Sequence, residues 1–168
     1  MSDAVMRRRS IRRFTDEEVS QEELAKVLDA GAAAPSALFK HPVRFIILSR
    51  EELDRIASRV EQKTPFVEGR VGVATVADTR NYGGGTGWLE DCAAAMENML
   101  IEATELGLGS LWYGVYRRAA KEPQIREILA LPEGVEVCGI VILGHGAEKK
   151  EPHGAADPKL FYSGKWHE

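Results

Sequence analysis

The segment VEVCGIVILG, residues 135 to 144, restricts the fold more than any other part of the chain. A run this apolar leaves no face for water, and its β-branched content and short length favour a strand over a helix. It reads as an inner strand of a sheet, so other elements must cover it. The segment from Trp88 to Leu106 has the character of such a cover: it holds no Pro or Gly, and Ala93, Met96, Leu100 and Ala103 recur at spacings of three and four. Cys92, Ala95 and Met99 widen the apolar surface, so this is expected to be a central helix, packed on more than one side.

Around these two elements the signals alternate. Ser20 with Glu23 forms a capping-box pattern, and Leu24, Val27, Leu28 and Gly31 then line one face of a helix stopped by Pro35. Residues 43 to 48, VRFIIL, read as a strand. Ser49 with Glu52 opens a second helix over about residues 50 to 61. Residues 71 to 77, VGVATVA, are strand-like and lead into the loop NYGGGTG; residues 110 to 116, SLWYGVY, are strand-like too. Pro123 suits the first turn of a helix ending near Leu131. Helices lie on a sheet, and connections of helical length allow parallel pairing, so alternation by itself points toward the doubly wound group.

Composition narrows the class. The 168 residues suffice for one domain with a real core, and Lys+Arg 22 against Asp+Glu 26 gives a net charge of −4, with no global bias toward nucleic acid or anionic membrane. Two cysteines, Cys92 and Cys138, both in apolar runs, offer no disulfide framework and no paired metal motif. No apolar stretch is long enough for a signal peptide or a membrane span, so a cytoplasmic protein is expected. From His145 onward the chain is polar and turn-rich, which divides it into a domain over 1–144 and an extension over 145–168.

Most chemical motifs are missing. His41, His145, His153 and His167 are dispersed, without metal-ligand spacing. GGGTG at 83 to 87 lacks the lysine of a phosphate-binding loop, GLGS at 107 to 110 is not a dinucleotide fingerprint, and no GxSxG elbow occurs. Asp91 and Glu97, six residues apart, do not share a helix face. What stands out is RRRSIRR at 7 to 13, a concentration of guanidinium forks around Ser10 that suits phosphate. A solvated basic arm and a nucleic-acid contact are the other readings of that run. A phosphate patch without an acid–base or metal cluster is compatible with chemistry borrowed from a cofactor.

Four blocks in order carry a resemblance: RRSIRRF at 8 to 14, APSALFKHP at 34 to 42, DCAAAMENMLIEATELGLGSLW at 91 to 112 and VILGHGAEKKEP at 141 to 152. Together they resemble the nitroreductase family of FMN-dependent flavoproteins across most of the chain. The resemblance implies an α+β fold, with a central sheet flanked by helices, and a homodimer with two FMN sites at the interface. It places Arg8, Arg9, Ser10 and Arg12 around the FMN phosphate, ribityl chain and pyrimidine edge. Pro35, Ser36 and Ala37 then lie along the flavin ring, Tyr113 and Gly114 bring a backbone N–H near flavin N5, and Lys149, Lys150 and His153 add positive charge at the phosphate.

The activity so implied is ping-pong hydride transfer at flavin N5, from NADH or NADPH to a small nitroaromatic or quinone-like acceptor, with no side chain nominated as a proton donor. A flavin- or ligand-binding protein of the same fold without turnover is the alternative, and a nucleic-acid-binding protein using the 7–13 arm is a third class. The chain departs from the family's pattern at Phe39, His41 and Val43, which bears on substrate preference. Leu160, Phe161, Tyr162 and Trp166, in the extension, need an apolar surface, either on a partner subunit or on their own.

Overall fold

The computed structural model describes residues 3–166; Met1 and Ser2, in the 1–144 span, and His167 and Glu168, in the extension, lie outside the described residues. The chain order is α1 (Asp3–Arg7), α2 (Gln21–Ala32), β1 (Val43–Leu48), α3 (Arg50–Ala57), α4 (Thr64–Glu68), β2 (Val71–Asp78), α5 (Gly87–Glu105), β3 (Gly109–Gly114), α6 (Glu122–Ile128) and β4 (Val135–Gly144). Both capping boxes form: the Glu23 N–H donates to Ser20 Oγ at 3.2 Å, and Glu52 accepts from the Ser49 N–H at 2.8 Å. The helix opened by Ser49, α3, ends at Ala57, earlier than its pattern suggests. The next residues turn, with Ser58 Oγ donating to the Arg55 carbonyl, and the short α4 comes next, with a proline in its first turn.

The four strands lie in the order β1-β2-β4-β3, and every neighbouring pair is antiparallel. Alternation of helices and strands therefore misleads about topology, and the doubly wound expectation is corrected. β2 and β3, joined through α5, do point the same way, but β4 slots between them and converts what would be a parallel pair into two antiparallel ones. β4 is an inner strand, as its apolar run requires. A bulge near its start shifts the register between Thr75 and Val76 of β2.

Two cores result, one on each face. α2 and α5 cover one side, where Val27, Cys92, Met96, Met99 and Leu100 meet Val73, Val141 and Leu143. α3, α4 and α6 cover the other, where Leu53, Ile56, Phe66 and Ile125 meet Val76, Ile140 and Ile142. Alternate residues of β4 serve opposite faces, which is why the run carries almost no polar side chain. Cys92 and Cys138 are free and buried. A hydrogen bond between them, together with burial, holds the Cys92 thiol far above the ordinary thiol range, so it is a core residue and not a nucleophile.

Beyond β4 the chain turns back on its own start. Phe14 bridges Gly146, the Ala147 N–H donates to the Arg13 carbonyl at 2.9 Å, and the His153 N–H donates to the Met6 carbonyl at 2.8 Å. Residues 145–153 thus run antiparallel to residues 6–14 and belong to the domain. The chain leaves the domain only after His153: Leu160, Phe161 and Trp166 are 69–75% exposed. Packing of the tail on its own subunit is therefore not what the structure shows.

Candidate functional site

The site is built on the free edge of β3. The Ile11 N–H donates to the Ser110 carbonyl at 2.9 Å, and Ser10 bridges Ser110, so the arginine-rich segment is laid along that edge. Backbone groups alternate sides along a strand. Ser110 faces outward and Val115 donates inward to the Cys138 carbonyl, so Trp112 and Gly114 direct their N–H groups to the open edge. Tyr113 faces the other way: its backbone pairs with β4, and its ring is buried against Phe66 at 4.7 Å between centroids. Of the Tyr113–Gly114 pair, Gly114 alone offers an outward N–H. A cavity of about 500 Å³ opens beside it, lined by Arg12, Trp112 and Gly114 among others.

The arginines divide by parity, as side chains on an extended segment do. Arg9 lines one groove with Arg7 and Ile11, and donates to the Glu151 carbonyl. Arg12 lines the cavity by Gly114, and Arg8 pairs with Glu97 of α5 at 3.0 Å. Arg7 and Arg13 pair with Glu105 and Glu68 at 3.2 and 2.9 Å. Ion pairs at Arg7, Arg8 and Arg13 and the backbone bond at Ile11 tie the run to the domain, so it is not a free arm.

The returning strand adds its own charges. Lys150 Nζ donates to the Ser10 carbonyl at 2.5 Å, and Lys149 lines the Arg9 groove. His153 is tied by its backbone, and its side chain faces water. Glu148 is the acid among these bases, and sequence reasoning passed over it. Its carboxylate accepts from the Arg12 N–H at 2.6 Å and lies 3.5 Å from Lys150. Both contacts, the backbone N–H first, hold its carboxyl below the ordinary range, and the carboxylate ties the Arg12 backbone to the returning strand. Glu68 acts similarly next door: Arg13, then the Phe14 N–H, lower its pKa.

Pro35, Ser36 and Ala37 are not among these groups. Ser36 Oγ and the Ala37 N–H donate to the two oxygens of Asp91 at 2.8 and 2.9 Å, and the His41 N–H donates to Ser36 Oγ at 2.8 Å. Asp91 is 4% exposed, a charged residue on the packed face of an apolar helix. That placement was the signal available in the sequence. Six residues separate Asp91 from Glu97, which turns them about 120° apart around α5. The 35–41 turn sits on the flank shared with α2, whose Ala30 carbonyl accepts from Asn98, and Arg8 sits on the flank shared with α1. One copy of the chain therefore keeps the two halves of the expected site on different sides of its central helix.

The nitroreductase family model matches residues 5–87 and 78–145. The chain belongs to the nitroreductase family. A protein of Archaeoglobus fulgidus classed as an NADH dehydrogenase/NAD(P)H nitroreductase is 35% identical over 165 residues, 95% of this chain and 94% of its own. Among solved structures, an FMN-dependent nitroreductase from Clostridium difficile superposes with a TM-score of 0.90 at 28% identity, covering 99% of this chain and 100% of that one. A nitroreductase-fold protein from Desulfovibrio desulfuricans, solved in complex with FMN, gives 0.85 at 28% identity, covering 98% and 96%. The α+β architecture of this nitroreductase-family chain is thus that of FMN-dependent flavoproteins. Its described residues hold no helix long and apolar enough to cross a membrane, and no cluster of three or more metal-ligating side chains.

Proposed function

We propose that this protein is an FMN-dependent oxidoreductase that takes electrons from NADH or NADPH and passes them to a small quinone-like or nitroaromatic acceptor, working as a homodimer. The observation that carries the reading is the laying of the arginine segment and the returning 145–153 strand along the free edge of β3, which sets Arg12 in the cavity beside the outward N–H of Gly114 and Lys150 against Ser10, with Arg8 and Lys149 on the same two segments. This donor set suits FMN: guanidinium and ammonium groups for a phosphate dianion, a hydroxyl for the polyol chain, and an unencumbered backbone N–H for a ring nitrogen. When bound, FMN supplies two-electron hydride chemistry at its N5.

The chain's own residues do the rest. Arg8 exchanges Glu97 for phosphate, with Lys149 and Lys150 adding charge. Arg12, set by Glu148, supplies fixed positive charge at the pyrimidine edge, where preorganised donors are most effective. Gly114 has no side chain to hold the ring away from its N–H. Pro35, Ser36 and Ala37 reach the ring from a second copy, since a single copy keeps them on the other flank of α5. The exposed apolar side chains of the tail support the same assembly. Among the described residues no carboxylate or histidine lines the cavity beside Gly114, and solvent supplies protons to the acceptor.

The native protein is expected to be yellow, with released FMN identified after denaturation, and anaerobic stopped-flow mixing with NADH or NADPH is expected to bleach the flavin band. A quinone added afterwards should restore it. Colourless protein that fails to take up FMN overturns the reading. Flavin that neither nucleotide reduces leaves the binding protein of this fold in its place.

A further inference from the structure

The cavity beside Gly114 does not end at the flavin edge. It continues to the turn after β3, where Arg117, Arg118 and Lys121 line it together with Arg12. None of these four cations has a carboxylate partner among the described residues, although most other arginines of the chain do. Instead, Arg117 lies 5.3 Å from the centre of the Tyr116 ring and Lys121 lies 4.2 Å from the centre of the Tyr113 ring. Aromatic faces orient a cation without neutralising it.

The turn itself is held in shape. Arg117 has a φ of 53°, a left-handed conformation that a long side chain rarely adopts. The Glu122 carboxylate accepts the Arg117 N–H at 2.6 Å, and the Arg118 carbonyl accepts from the N–H groups of Lys121 and Glu122 at 2.8 and 2.9 Å. Glu122 therefore acts on the backbone and leaves the three cationic heads unmatched. A cavity walled by one sign of charge focuses its field on an anion of the other sign.

We propose that Arg117, Arg118 and Lys121 are the subsite for the phosphates of the nicotinamide donor, and that they select NADPH by its 2′-phosphate. This rests on the oxidoreductase reading above, in which Arg12 is already committed to the flavin. The pyrophosphate common to both dinucleotides leaves one of the three cations unmatched, and the 2′-phosphate supplies the missing anion. Guanidinium forks suit its oxygens, and the cavity runs unbroken from the phosphate-binding turn to Gly114.

The test is equilibrium titration of the purified FMN-loaded protein with adenosine 2′,5′-bisphosphate and with 5′-AMP, followed calorimetrically at low and moderate salt. The bisphosphate is expected to bind at least about tenfold more tightly than AMP, with an advantage that falls as salt rises. Two variants extend the test: Arg118→Glu, whose exposed side chain makes no contact that folding needs, and Arg118→Ala with Lys121→Ala. Both should erase the advantage while the flavin spectrum and melting temperature hold, and both should bring the kcat/KM ratio of NADPH to NADH toward one. Equal affinity for the two probes, or an advantage untouched by Arg118→Glu, overturns the proposal. Inorganic phosphate competing as well as the bisphosphate would overturn it too, since the site would then take free anions. Protein that cannot take up FMN yet prefers the bisphosphate would sink the oxidoreductase reading and leave the anion site standing; flavin-loaded protein indifferent to the bisphosphate would do the reverse.

Discussion

Two glycines paired across β3 and β4, Gly114 and Gly139, show how position decides what a residue does. A Cβ on Gly114 meets nothing within 4 Å, whereas one on Gly139 comes within 2.8 Å of the Tyr113 carbonyl oxygen and 2.9 Å of Met96 Cε. Gly139 is needed by the fold, because the backbone of β3 at Tyr113 leaves no room for a methyl group, while the Met96 tip on α5 can shift. Gly114 has no such structural reason to be glycine. Gly139→Ala is expected to destabilise by about 1–3 kcal/mol in a urea melt. Gly114→Ala should melt within about 0.5 kcal/mol of the parent yet bind FMN at least about tenfold more weakly by flavin titration. Unchanged FMN affinity in that variant would remove Gly114 from the site.

At the scale of the element, the 36–41 turn is the part most dependent on one distant side chain. Leu38, Phe39 and His41 have φ values of 52°, 55° and 44°, and Leu38 and Phe39 are 83% and 88% exposed. Such conformations cost about 1 kcal/mol or more each and persist only when their surroundings hold them. Asp91 does so by accepting from Ser36 and Ala37, and Ser36 in turn receives the His41 N–H. Asp91→Ala should cost about 1–3 kcal/mol of stability and, more tellingly, should abolish hydrogen-exchange protection at the Ala37 and His41 amides while α5 stays protected. Protection that survives would mean the turn holds itself. The proline-stopped helix before this turn was legible from pattern. Its anchor was not, since Asp91 and Ser36 are 55 residues apart and no local signal links them.

For the whole molecule, the tail is the unmet demand of a single copy. Leu160, Phe161 and Trp166 stand in water, and Tyr162 stacks only on Trp166, with ring centroids 4.3 Å apart. Burying one large aromatic side chain contributes about 1.5–3 kcal/mol, so a partner surface is the physical answer to three of them. Truncation after His153 removes no buried side chain among the described residues and should leave each subunit folded. It is expected to shift the sedimentation profile from dimer toward monomer and to weaken FMN binding in parallel. A truncated protein that sediments and binds flavin like the full chain would show the tail to be dispensable.

The sequence by itself determined the elements and their faces. Capping boxes at Ser20 and Ser49, the unbroken period of α5 and the apolar run of β4 are local patterns, and local sterics and burial suffice to fix them. The four ordered blocks also sufficed to place the chain in its family. What only the tertiary structure decided was order and parity. β4 between β2 and β3 makes the sheet antiparallel, because strand order is set by how helical covers share the two faces and not by chain order. Parity along β3 gives Gly114 an outward N–H and turns Tyr113 into the core, which no reading of the pair in isolation distinguishes. The carboxylates Glu148 and Asp91 found their partners across 136 and about 54 residues, and the cations after β3 were left without a carboxylate among the described residues. Each outcome depends on which charges the fold brings within about 3 Å of one another, a distance that sequence spacing does not encode.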